Sequence, residues 1–99
     1  MVVVIFHSRL KPGVEREIEP LGARLYELAT RMPGYVSYGE YQAADGESLA
    51  VVQFESAETL TAWRDHPEHR AAQALGSERF FSSYRIQVCT VNRDYGKGS

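Results

Sequence analysis

Cysteine is almost missing from this chain. Cys89 is the only one in 99 residues, so no internal disulfide can form and a reducing, cytoplasmic setting is expected. Long apolar runs are missing too. The longest covers residues 1–6, far too short to cross a bilayer, so no membrane partner is expected. No basic stretch or small-residue cleavage site accompanies it, and no signal peptide is expected. Neither sign of charge dominates, with eleven Lys+Arg against thirteen Asp+Glu. The resulting charge of -2 creates no field that would gather nucleic-acid phosphates or anionic lipid. There is no Gly-rich phosphate loop, no cysteine pair at zinc spacing and no nucleophile elbow. Repeats, linkers and low-complexity blocks are absent. What remains is 43% hydrophobic and 24% charged, ordinary usage for one small globular domain.

The order of elements is legible. Val2, Val3, Val4, Ile5 and Phe6 predict a strand, closed by Lys11-Pro12-Gly13. Val14, Ile18, Leu21, Leu25, Leu28 and Met32 recur at steps of three and four and predict one apolar stripe on a helix. Pro20 should kink that helix or mark a later start. Pro33-Gly34 ends it. Tyr35–Gln42 and residues 49–55 read as strands joined by a tight primed turn at Asp45-Gly46. Ser56 suits a helix cap. His66-Pro67 interrupts the helix, Pro67 restarts it, and Gly76 should end it. Residues 83–91 read as a last strand. The expected fold is α+β: a ferredoxin-like βαββαβ domain over residues 1–92, with an antiparallel four-stranded sheet, followed by a polar tail over residues 93–99.

Strand parity sorts the sheet into two faces. Val2, Val4, Phe6, Val36, Tyr38, Ala50, Val52, Phe54, Tyr84, Ile86 and Val88 form the set expected under the helices. The other set contains Val3, Ile5, Tyr35, Tyr41, Leu49, Val51, Cys89 and Val91, with His7, Ser37, Gln53, Arg85 and Gln87 among them. Two helices cover one face only. The second is too apolar for water, so a homodimer closing the open faces is expected.

Chemistry-bearing residues are few. His66-Pro67-Glu68-His69 is the densest titratable cluster, and a helix start accounts for it better than a metal, since no further ligand group accompanies it. No metal is expected. Trp63 is the single tryptophan, an anchor beside the helix break. Phe6, Ser8, Tyr26, Phe80 and Tyr84 are expected to share the space between helices and sheet with it, and two readings stand. Taken alone the aromatics read as simple core; with a cleft at the helix break they read as an aromatic-walled pocket for a flat apolar molecule. Cys89, in mid-strand, reads as a small core residue. His7, Arg85 and Gln87 read as a polar network on the open face.

Met32-Pro33-Gly34-Tyr35-Val36, Asp45-Gly46, Phe54-Glu55-Ser56-Ala57-Glu58, Ala62-Trp63-Arg64 and the His66 to Gln73 stretch together resemble the antibiotic biosynthesis monooxygenase domain family, over about residues 1–92. The resemblance implies a dimeric α+β barrel. In its haem-degrading branch a strand-one Asn, a helical Trp and a downstream His form the site. Trp63 matches the Trp, but the His position falls on Gln73 and the Asn position at or beside Ser8. Haem is therefore disfavoured, and no cofactor is expected. The cofactor-free branch implies oxidation of an aromatic quinol or phenol. Trp63 would stack on the ring, with Phe6, Ser8, Tyr26, Gln73 and Phe80 around it, and His66, His69 or Tyr84 would move the proton. The alternative is a dimeric module that binds a hydrophobic metabolite or haem without turnover.

Overall fold

The computed structural model describes residues 1–98. The last residue of the expected tail, Ser99, lies outside them. Strand β1 (Val2–Leu10) leads to helix α1 (Glu15–Arg31), then strands β2 (Tyr35–Gln42) and β3 (Ser48–Phe54). Helices α2 (Ala57–Arg64) and α3 (Pro67–Leu75), a single π-helical turn (Gly76–Phe80) and strand β4 (Phe81–Thr90) follow. The sheet order is β2-β3-β1-β4, every pairing antiparallel. This is the ferredoxin-like α+β fold. Among the described residues no helix is long and apolar enough to cross a membrane.

Local chemistry explains the boundaries. Ser56 accepts from the Thr59 N–H at 3.2 Å while the Thr59 hydroxyl accepts from the Ser56 N–H, a reciprocal cap worth about 1 kcal/mol. Pro67 stands in the first turn of α3, where its missing donor costs nothing. Helix α1 starts at Glu15 and runs through Pro20, so the later start is excluded. The core joins Leu28 and Ala29 of α1 with Val52, Phe54 and Trp63, each 9% exposed or less.

Five expectations are corrected, the last being the burial of Cys89. The Asp45-Gly46 connection is not a primed turn: Gly46 alone has positive φ (93°), and Ala43 and Glu47 close the loop by a 2.8 Å hydrogen bond. That is a type I turn followed by a left-handed glycine. Gly76 does not stop α3. It keeps right-handed helical angles and feeds the π turn, whose last hydrogen bond runs from the Phe81 N–H to the Gly76 carbonyl. The glycine is there for packing, since a Cβ on it would meet Phe81 Cε2 at 2.7 Å.

The third correction is a β-bulge. Tyr35 and Ser37 pair with consecutive β3 residues, Phe54 and Gln53, leaving Val36 as the extra residue. Tyr35 therefore turns to the helix side, its ring 6.2 Å from that of Phe54, and Val36 is the exposed one. The fourth concerns β4. Register puts Tyr84, Ile86 and Val88 on the helix side with Ser8, Phe6 and Val4, yet they stay 46 to 62% exposed. Helix α1 packs toward β2 at the opposite edge, and β4 is left uncovered. On the other face Val3, Ile5, Leu49 and Val51 have no helix above them and remain partly exposed, and Cys89 is exposed rather than core.

Candidate functional site

The break between α2 and α3 sets the site. His66 ends the first helix and begins the second, its Nδ1 accepting from the Glu68 N–H at 3.2 Å. That nitrogen is unprotonated in the bond, so the ring's proton sits on Nε2. Glu68 forms a bidentate pair with Arg24 of α1 at 2.9 and 3.0 Å, pinning α3 to α1. The Arg24 hydrogen bond holds the Glu68 carboxyl below its ordinary range.

One turn into α3, His69 points inward. Its imidazole lies flat on the Trp63 indole, ring centroids 4.1 Å apart and planes 13° from parallel. Its Nδ1 is 3.1 Å from the Trp63 carbonyl oxygen. A carbonyl only accepts, so Nδ1 carries the proton and Nε2 keeps a lone pair. Burial pushes this histidine below its ordinary 6.5, partly offset by the Trp63 hydrogen bond. Trp63 itself is 5% exposed. It does not wall an open chamber, because His69 covers one face and the core takes the rest.

The open space is lined by other residues of the junction, and by neither ring of this pair. A shallow, open groove of about 450 Å³ runs between the α2–α3 junction and β4. Arg64 and Asp65 line one end, Arg70 and Gln73 the helix side, Ser77 the π turn, and Tyr84 the strand side. Gln73 is one helical turn past His69, on the same side of α3. Arg64 Nε and Arg70 Nη2 both lie 3.3 Å from the same Asp65 oxygen, Oδ1. These two guanidiniums, Arg64 first, hold the Asp65 carboxyl below its usual range. Behind Tyr84 the Phe6 and Phe81 rings complete an aromatic cluster, with centroids 5.3 to 6.3 Å apart.

The expected pocket residues thus separate. Gln73 and Tyr84 line the groove, and Phe6 backs Tyr84. Ser8 is buried and opens instead onto a smaller cleft of about 120 Å³, shared with His7, Glu47 and Tyr84. Phe80 is 3% exposed, sealed inside the π turn. Tyr26 is elsewhere. Its ring stands edge-on to Tyr38 at 5.3 Å, over β2, and three strand spacings of roughly 4.8 Å separate β2 from β4. His66 and His69 diverge, one to a helix cap and one to the indole, and no three metal-ligating side chains converge among the described residues. Sequence reading missed Arg64, Asp65, Arg70 and Ser77. Only the charges straddling the His66-Pro67 break could have pointed to the first three.

On the open sheet face His7 Nε2 is 2.7 Å from Gln87 Oε1, and Nδ1 is 3.4 Å from Glu47. The expected polar network is therefore present, with Glu47 as a member that parity alone did not supply.

A family model described as "Antibiotic biosynthesis monooxygenase" matches residues 1–75. An uncharacterized protein of Bacillus subtilis, YqjZ, is 33% identical over 70 residues, which are 71% of this chain. The chain spans only 61% of that relative's length. Among solved structures, Rv0793 from Mycobacterium tuberculosis superposes with a TM-score of 0.84 at 21% identity, covering 96% of this chain and 98% of that one. SnoaB from Streptomyces nogalater, a cofactor-independent oxygenase, superposes with a TM-score of 0.79 at 14% identity, covering 97% of each chain. At such identities these structures share the fold. Their matches take in the π turn and β4, which lie beyond the family-model match.

Proposed function

The chain belongs to the antibiotic biosynthesis monooxygenase family, and from that premise we propose that it is a small homodimeric monooxygenase acting without cofactor on an electron-rich aromatic quinol or phenol. The observation that carries this reading is the groove between α3 and β4. Tyr84 provides an aromatic wall there, and Gln73 an amide for a ring hydroxyl. The neutral His69 lies one turn away.

The chemistry asked of the protein is modest. His69 is not among the groove's lining residues, so a substrate hydroxyl there would pass its proton through an intervening water to His69 Nε2, the nitrogen not used by the Trp63 carbonyl. The resulting anion transfers an electron to dioxygen and the two radicals recombine. The substrate supplies every electron: one oxygen atom enters it and the other leaves as water. Trp63 acts here as a positioning residue that holds the His69 ring, rather than as a stacking partner of the substrate. His66 is the second titratable group at the junction, and Phe6 fixes the Tyr84 wall. Gln73 offers an amide, a poor axial ligand, where the haem-degrading branch needs imidazole, so haem is disfavoured. The exposed Cys89 suits a reducing cytoplasm.

A specific observation favours a second reading. No histidine lines the groove and its one carboxylate, Asp65, is held low by Arg64 and Arg70, so no strong base faces a ligand there, which suits a dimer that binds a hydrophobic metabolite or haem without turnover. Oxygen uptake with a panel of hydroquinones and anthrones, beside a haemin titration, separates the two. Uptake coupled to a hydroxylated or quinone product, lowered by His69→Asn, supports the oxygenase. Saturable binding of those compounds or of haemin without uptake supports the module.

A further inference from the structure

Gln73, Ala74, Ser77 and Tyr84 of the groove are neutral, but its lining is not wholly so. Arg64 and Arg70 both reach it, and Asp65 is the one carboxylate among its lining residues. Two guanidiniums thus share one carboxylate, in a chain whose overall charge is -2. Both contacts fall on a single oxygen, Oδ1, at 3.3 Å, from one N–H of each fork. Each fork has five donors in a plane matched to a carboxylate. The groove lining therefore carries one uncompensated positive charge and spare planar donors, together with the half-exposed ring of Tyr84.

We propose that the ligand of this groove is an aromatic acid: a ring against Tyr84 whose carboxylate is taken by Arg64 and Arg70, with Asp65 holding the two guanidiniums in place. This rests on the groove being the substrate site and narrows the substrate from aromatic quinols to those bearing an acidic group. A ring bearing a carboxylate suits this lining better than a bare inorganic anion, because the guanidinium donors and the aromatic ring line the same groove. It also explains why two arginines lie on either side of a helix break that a single ion pair would bridge equally well.

The test uses hydroquinone and gentisate, which is hydroquinone with one carboxylate added. Binding is measured without oxygen by calorimetry, so that turnover plays no part. Gentisate should bind about two- to fivefold more tightly than hydroquinone at low salt, the scale of one partly exposed charged pair. In Arg64→Gln and Arg70→Gln the ratio of the two dissociation constants should shrink, and in the double variant approach one. Melting temperatures of the same variants cover the structural alternative. If the melting point falls while the ratio stays, the arginines only staple α2 to α3 and the inference is overturned. Equal binding of the two compounds, or no binding of gentisate, overturns it too. So does displacement of gentisate by equimolar inorganic phosphate, which would mark a bare anion site. Loss of carboxylate preference leaves the oxygenase reading standing, and absent oxygen uptake with the preference intact does the reverse.

Discussion

The imidazole of His69 rests flat on the indole of Trp63 at 4.1 Å, and its Nδ1 donates to that same residue's carbonyl oxygen. The pair fixes tautomer, orientation and protonation together. Burial holds His69 below its ordinary 6.5, so the folded state prefers the neutral ring. Above 6.5 both folded and unfolded chains carry it neutral and the contribution is complete. As pH falls through that value the unfolded chain takes up the proton first, and stability is lost down to the lower folded pKa. Melting temperature should therefore fall from pH 7 to the region below 6.5, and His69→Asn should flatten that part of the curve. Asp65 and Glu68, also held low, act only below their ordinary 3.8 and 4.5, so the two effects fall in separate pH windows. An unchanged slope in the variant would remove the assignment.

Trp63 is the chain's one tryptophan, which makes its fluorescence a private reporter of the stack. Charging His69 places an imidazolium against the indole. A fluorescence titration should show a step with a midpoint under the ordinary histidine value, absent in His69→Asn. Trp63→Ala removes a side chain packed against Leu28, Ala29, Val52 and Phe54 and should cost about 3–5 kcal/mol in urea unfolding. Trp63→Phe should cost less and keep the fold. If it also leaves oxygen uptake untouched, the positioning role is wrong.

Sequence periodicity captured the order of elements because each apolar stripe had a clear partner. The α1 stripe ending in Leu28 and Met32 and the parity of Val2, Val52 and Phe54 all point into one core. What escaped was decided by single residues acting across the chain. The bulge at Val36 exchanges the faces of Tyr35 and Val36, and nothing local in Gly34-Tyr35-Val36 announces it. Gly76 looks like a helix stop, yet its missing Cβ admits the Phe81 ring from the next strand. Tyr26 shares a helix with the core stripe but packs over β2, because sheet order, which parity does not give, decides which edge α1 covers. The groove's arginines look like ordinary surface charges until the fold sets them in one groove with Tyr84.

Gly76→Ala tests that packing directly. The new methyl would sit 2.7 Å from Phe81 Cε2, so the ring must move or the π turn must open. The expected loss is about 1–3 kcal/mol, despite alanine's better helix propensity. Because Phe81 supports Phe6 and Tyr84, hydroquinone binding should weaken in step. Higher stability in the alanine variant would show that Gly76 is a solvent-side residue after all.

The open sheet face decides the assembly. Val3, Ile5, Leu49 and Val51 form its apolar centre and are partly exposed in the single chain, while His7, Glu47 and Gln87 tie its middle by hydrogen bonds. A second copy related by two-fold symmetry would cover the apolar centre and set the two polar networks near the axis. Sedimentation equilibrium should give twice the chain mass at micromolar concentration. Ile5→Lys, or Val51→Lys on the neighbouring strand, places a charge in that centre and should shift the species to a single chain. Helical signal should survive, because neither side chain enters the α1–α2 core. The dimer should also be nearly insensitive to salt, since its centre is apolar, whereas the gentisate preference should fade as salt rises. A wild-type chain that stays single at every concentration, with these variants no different from it, would mean that this face is covered by something other than a second copy.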